Sequence, residues 1–262
     1  MLIKNLLFLA IILFFVGPAG SQASAKEKAP AFDCPILLYH RFGPVVADSM
    51  TVTTAVFISH LDYLQSHGYR VIPLRTLIDA FLKKGPPPPP HSVVIAVDDG
   101  HKSVYTEMLP LVQKYRIPVT LFIYPSAISN ASYAMTWDEL RSLRKTELFD
   151  IQSHSYWHPN FKIEHRRLTQ EAYQRFVDLQ FTQSKAKLEK ECGATVDIMA
   201  WPFGIYDDFL ISRLSQAGYV AALTIEAHRV TPSDQVMKLP RFLLTNANQG
   251  KAFEWIFADG TH

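Results

Sequence analysis

Val93–Ser103 reads VVIAVDDGHKS: five apolar residues run straight into two adjacent carboxylates, Asp98 and Asp99, and then Gly100. The apolar run has the length of a buried strand, and the glycine marks the turn that ends it. Neighbouring carboxylates repel each other and lose hydration when partly buried. Asp and Gly also favour turns for backbone reasons alone, so an isolated DDG is more often a solvated turn than a site. The remainder of the chain decides between these.

Upstream, PILLYH (Pro35–His40) reads as a strand, and TAVFISHLDYLQSHG as a helix with Phe57, Leu61 and Leu64 on one face and Gly68 as its stop. YRVI and LRTLIDAFLKKG form the next strand and helix. PPPPP (Pro86–Pro90) is a stiff connector inside one domain, because the part before it is too small to fold alone. Downstream of SVVIAV the alternation continues. SVYTEMLPLVQKYR is a helix interrupted near Pro110, PVTLFIY a strand, TWDELRSLRK a helix capped by Thr136, and FDIQS a strand. A long polar helix from about Thr169 to Glu191 leads to VDIMAW. The helix YDDFLISRLSQAG, the strand YVAALT and a last strand in KLPRFLL complete the chain. Repeated strand–helix units imply parallel strands. The expected architecture is a distorted (β/α) barrel of about seven or eight parallel strands, with an open doubly wound sheet as the runner-up. In such barrels chemistry collects where strands end. His40, Asp98, Asp99, His154 and the Pro202–Gly204 turn all stand at such ends.

The first residues have a different purpose. Lys4, the apolar run Leu6–Val16 and the small residues ending at Ala25 have the parts of a secretory signal peptide. The expected organisation is therefore a signal peptide over 1–25 and one catalytic domain over 26–262, secreted or periplasmic after cleavage. Membrane association is expected only through an uncleaved leader. Hydrophobic content of 48% supports a real core, and a net charge of only +2 gives no electrostatic reason to expect nucleic acid as a partner. Export makes Cys34 and Cys192 candidate disulfide partners, a pairing that sequence leaves open.

HSYWHPN places His154 and His158 four residues apart, a spacing that can turn two imidazoles toward one ion. With ten histidines in the chain, an isolated pair of this kind is more often structural. Following a strand, with a strand-end DDG upstream, the pair points to a metal. Imidazole with carboxylate suits zinc, or cobalt or nickel in its place. One aspartate then binds the ion while the other accepts a proton from water.

These residues resemble the polysaccharide deacetylases of carbohydrate esterase family four. The family's T-F-D-D-G is matched by AVDDG, and its H-S/T-x-x-H by HSYWH; TLFIYP and MTWDEL are similar too. The resemblance implies Asp98 as general base and Asp99, His154 and His158 as metal ligands. The family's R-x-P-Y appears as AWPFG, with Ala200 where arginine would stand, and Arg241 of LPRF is the candidate substitute guanidinium. The late L-x-x-H motif that carries the acid is missing after AWPFG. LLYH (Leu37–His40) matches it at the front of the chain. This permuted order resembles the exported poly-β-1,6-N-acetylglucosamine deacetylases and implies His40 as general acid, with His228 as its competitor.

The expected reaction is metal-dependent removal of N-acetyl groups from an amino-sugar polysaccharide. Trp201, Pro202, Phe203 and Arg241 are the expected substrate contacts, and Trp201, Tyr156 and Trp157 candidates for sugar stacking. The alternatives are an O-acetyl polysaccharide esterase, which would share the chemistry, and a glycan-binding pseudoenzyme, motivated by the missing arginine.

Overall fold

Strands and helices alternate along the chain as the hydrophobic pattern requires. The computed structural model describes residues 32–258, so the expected leader at 1–25 lies outside the described residues. The first elements are β1 (Ile36–Tyr39), β2 (Arg41–Gly43), β3 (Thr51–Thr53), α1 (Thr54–Ser66), β4 (Arg70–Val71), α2 (Leu74–Phe81) and β5 (Ser92–Asp98). A π-helical turn over Val104–Met108 runs into α3 (Leu109–Tyr115), followed by β6 (Val119–Ile123), α4 (Trp137–Lys145) and β7 (Phe149–Ser153). Then come α5 (Phe161–Arg167), α6 (Gln170–Cys192), β8 (Ile198–Ala200), α7 (Asp208–Gln216), β9 (Ala221–Leu223), β10 (Phe242–Leu243) and α8 (Lys251–Glu254).

Local chemistry sets several of these boundaries. Thr136 and Glu139 form a complete capping box at α4, and the Asp207 side chain accepts the Leu210 N–H at α7. Pro110 falls in the first turn of α3, where its missing N–H costs no helical bond. The helix expected across this stretch is instead a π-helical turn followed by an α-helix. Among the described residues, no helix is long and apolar enough to cross a membrane.

The sheet runs β10-β1-β5-β6-β7-β8-β9 with every pairing parallel, and β4 joins the start of β5. Residues 239–244 reach both ends of that path. Leu239 donates to Ala222 O (2.9 Å) and accepts from Thr224 N (2.8 Å) beside β9, while Phe242 lies opposite Leu37 and Leu244 donates to Leu38 O (2.9 Å) on β1. The sheet thus curls on itself as a distorted barrel of seven parallel strands, and the open doubly wound alternative is excluded.

Strand alternation then sorts side chains to two faces. Ile36, Val94, Ala96, Phe122, Ile198, Ala200, Ala221 and Leu223 form the cluster inside the barrel, joined by Leu74, Leu77 and Ile78 of α2. Leu37, Tyr39, Val93, Ile95, Val97, Leu121, Ile123 and Ile151 face the helices. The same alternation, followed to the last residue of β5 and one step past β1 and β7, turns three polar residues inward. Asp98 follows Val94 and Ala96, His154 follows the buried Gln152, and His40 follows Ile36 and Leu38.

Cys34 pairs by backbone with Val230 and belongs to the inner cluster, whereas Cys192 ends α6 in the outer one. Both are buried and free. Burial pushes both thiols up, that of Cys192 to about 11. The candidate disulfide is not formed, because the two cysteines pack on opposite faces of the sheet.

Candidate active site

Asp98 ends β5 pointing into the barrel, with 2% of its surface exposed. Asp99 breaks the strand alternation: its backbone is left-handed (φ 75°), as is that of Gly100 (φ 70°). A Cβ on Gly100 would come within 3.0 Å of Ile123 Cδ1 and 3.1 Å of Ile128 Cδ1, so this turn needs glycine for space as well as for φ. The two carboxylates are thereby separated in orientation, one inside the barrel and one on its rim.

The His154 and His158 rings stand 4.5 Å apart by centroid at 65°. Asp99 Oδ1 lies 3.7 Å from His154 Nε2 and 3.9 Å from His158 Nε2. One donor atom each from Asp99, His154 and His158 fits within 4.8 Å of the others. Two features test whether this group suits a cation. His154 Nδ1 lies 2.8 Å from the Ala200 carbonyl oxygen, which fixes the proton on Nδ1 and leaves Nε2 with a free lone pair facing the group. Burial, and the charge of Asp98 beside it, push the Asp99 carboxyl up. A divalent ion among the three donors reverses that penalty. Burial also holds both imidazoles below the ordinary range, His154 at about 3, so both are neutral and able to ligate. The residues fit a metal.

Asp98 is held by a group from the far end of the chain. Arg241 Nη1 and Nη2 donate to its two oxygens at 2.8 and 2.9 Å, and Arg241 Nε donates to Thr224 O at 2.8 Å. Burial raises the Asp98 carboxyl, but the Arg241 guanidinium, through its charge and its two hydrogen bonds, more than offsets this and holds it at about 2. Arg241 has no exposed surface. Grouping it with substrate contacts is therefore corrected: its fork is occupied by Asp98. Trp201 is corrected likewise, since its ring is fully buried with Nε1 donating to Met237 O. It offers no face for sugar stacking.

His40, Asp98, Asp99, His154 and His158 line a cavity of about 280 Å³, walled by Met50, Trp201, Phe203, Ile225 and Leu243. His40 opens onto it, and burial pulls its imidazole down against the upward pull of Asp98 and Asp99. Its Nδ1 is buried without a protein partner among the described residues. His228 is elsewhere, 3.1 Å from Asp234, and does not line the cavity. Pro202 is buried at the base of its turn, while Phe203 is 56% exposed with its ring 4.5 Å from that of His158. Trp157 is 44% exposed on the same rim, and the backbone of Tyr156 is tied to Gln180 and Ser126.

Sequence reasoning missed two residues here. Tyr124, immediately after β6, has its ring 5.4 Å from that of His158 and its hydroxyl 2.6 Å from that of Tyr133. The strand-end rule that found Asp98 would have found it. Gln180, fully buried on α6, accepts the N–H groups of Tyr156 (3.2 Å) and Trp157 (3.1 Å), and Ser155 Oγ accepts that of His158 (3.1 Å). These bonds fix the loop between the two histidines, and nothing local in the sequence announces the first two. Gln180→Leu leaves two N–H groups without an acceptor and is expected to weaken divalent-metal binding about 10- to 100-fold. Gln180→Glu, which keeps the acceptor, should bind metal far more tightly than Gln180→Leu. Competition against a chromogenic chelator reads the difference, with melting temperatures measured alongside.

The polysaccharide deacetylase family model matches residues 85–222. The chain belongs to the polysaccharide deacetylase family. The match contains DDG and HSYWH but leaves out β1 and β10, the neighbouring strands next to His40 and Arg241. Among curated relatives, the poly-β-1,6-N-acetyl-D-glucosamine N-deacetylase of Staphylococcus aureus strain MRSA252 is 25% identical over 218 residues, covering 81% of this chain and 73% of the relative. That of Staphylococcus epidermidis is 25% identical over 225 residues, covering 84% and 76%. Among solved structures, Streptococcus pyogenes deacetylase PplD in complex with acetate aligns with a TM-score of 0.77 at 16% identity, covering 87% of this chain and all of that one. IcaB from Ammonifex degensii aligns at 0.75 and 22% identity, covering 86% and 97%. Both share the fold.

Proposed function

We propose that this deacetylase hydrolyses the N-acetyl amides of a poly-β-1,6-N-acetylglucosamine-like polysaccharide, with zinc as its ion and cobalt or nickel as substitutes. The observation that carries this reading is the pairing of an Asp–His–His donor set with a second carboxylate pinned by Arg241 in one cavity. The names of the Staphylococcus relatives supply the polymer class. The same reading treats residues 1–25 as an export signal and 26–262 as the secreted or periplasmic domain.

Asp99, His154 and His158 would hold the ion, which supplies Lewis-acid polarisation of the acetyl carbonyl and acidification of the attacking water. Asp98, ionised at neutral pH and fixed in orientation by Arg241, accepts the proton that water loses as its oxygen joins the carbonyl carbon. Protonated His40 gives its proton to the nitrogen as the C–N bond breaks, so that acetic acid and a neutral amine leave, and the acid then loses its proton to solvent as acetate. Proton loss from water and gain by nitrogen balance. Phe203 and Trp157 cover the cleft and pack against the sugar. Arg241 on Asp98 answers the loss of arginine at position 200, which was the motive for a pseudoenzyme.

Acetate release from matched N-acetylated and O-acetylated glycans tests the reading. N-acetylated β-1,6-linked glucosamine polymer should be the better substrate, and preference for acetylated xylan would reassign the protein as an esterase. His40→Ala has its own signature. It should retain metal and lose about 10²–10⁴-fold in rate on the acetamide, with a much smaller loss on an activated aryl acetate whose phenolate leaves unprotonated. Equal losses on both substrates would remove His40 from proton transfer.

A further inference from the structure

A second hollow lies beside the cleft, between the end of α5 and the starts of α6 and α7. Its volume is about 320 Å³, and His165, Leu168, Gln170, Tyr173, Asp207 and Phe209 line it. We propose that it binds a further sugar unit of the same polymer whose reacting unit occupies the cleft, an inference that rests on the deacetylase reading above.

Position is the first argument. α5 begins directly after the His154–Asn160 loop, and Asp207 and Phe209 follow the Phe203 turn, so the hollow is built on the helices that lead away from the cleft's strand-end loops. A line of rings connects the two. Trp157, next to His158, contacts Phe176 at 5.5 Å, and Phe176 contacts Tyr173 at 6.2 Å and 20°. Tyr173 then lies between His165 (4.6 Å, 30°) and Phe209 (5.7 Å, 28°).

Composition is the second. A pyranose has apolar C–H faces edged by hydroxyls, and aromatic surface with a few polar groups is what receives such a ring. Phe209 and Leu168 supply the apolar surface, backed by the buried ring of Tyr173. His165, Gln170 and Asp207 supply polar edges, and Asp207 spends only Oδ1 on capping α7 (2.8 Å from Leu210 N). Phe209 is 39% exposed although it sits in the first turn of a helix whose buried face is carried by Leu210 and Leu214. Its ring is therefore available to a ligand.

The test is kcat/KM for acetate release across β-1,6-linked N-acetylglucosamine oligomers of increasing length, for the wild-type protein, Phe209→Ala and His165→Ala. Both altered side chains are exposed, so folding should be unaffected. The wild type should gain with length and then level off. The variants should lose about five- to tenfold on long oligomers, mainly through KM, and match the wild type on the dimer and on an aryl acetate. Variants that are unchanged at every length, or lowered alike at every length, would overturn the subsite while leaving the deacetylase reading intact. A wild-type protein that releases no acetate from any of these oligomers would instead overturn the reading, and the subsite with it.

Discussion

His158→Ala is expected to lose its divalent ion and at least about 10³-fold in acetate release, since the ion supplies several kcal/mol of transition-state stabilisation. The ring is 20% exposed, so its removal leaves the barrel standing and the loss reads on the site. His154→Ala should lose metal and rate as well. There the ring is buried and bonded to the Ala200 carbonyl, so the variant also strands a buried acceptor, at about 1–3 kcal/mol of stability. Metal content by elemental analysis, beside melting temperature, separates the two contributions. A His158→Ala protein with full metal occupancy would remove that residue from the donor set.

Asp98→Asn should behave in the opposite way. Metal binding persists, because Asp98 is not among the three donors, while the rate falls about 10²–10⁴-fold with the loss of the proton acceptor. Stability falls too. Arg241 has no exposed surface, and removing its counter-charge leaves a buried cation unpaired, at about 3–5 kcal/mol. Arg241→Met is the reciprocal change. It strands the Asp98 carboxylate, whose ionisation burial then opposes, and activity should fall without loss of metal. Asp99→Asn, in contrast, should weaken metal binding directly. A reversal, with Asp98→Asn losing metal and Asp99→Asn keeping it, would exchange the two roles.

The parts of this account that were legible in the sequence are those that depend on short-range patterns. Strand–helix alternation gave the parallel barrel, Thr136 marked the start of α4, and DDG and HSYWH marked two strand ends. Three kinds of feature were not legible. The small parallel pair β2–β3 and the seven-residue helix α5 are too short for periodicity to define. The bond between Arg241 and Asp98 spans 143 positions: the family resemblance singled out Arg241 as the substitute guanidinium, and the structure places it on Asp98, but no local pattern shows that its side chain turns inward. In sequence alone Trp201 is a candidate for sugar stacking, and its aromatic surface is equally compatible with core packing. Its ring is instead buried, with Nε1 bonded to Met237 O. Gln180 belongs to the same class: it acts from the middle of a polar helix on a loop more than twenty residues away.

The most direct measurement of the central claim is acetate release from poly-β-1,6-N-acetylglucosamine by one protein sample, titrated from the chelated, metal-free state back to full zinc occupancy. Activity should be absent at the start, rise in proportion to bound zinc and saturate at one ion per chain, the stoichiometry of a single Asp99–His154–His158 site. Full turnover by the metal-free protein, or zinc uptake at these residues without any release of acetate, would contradict it.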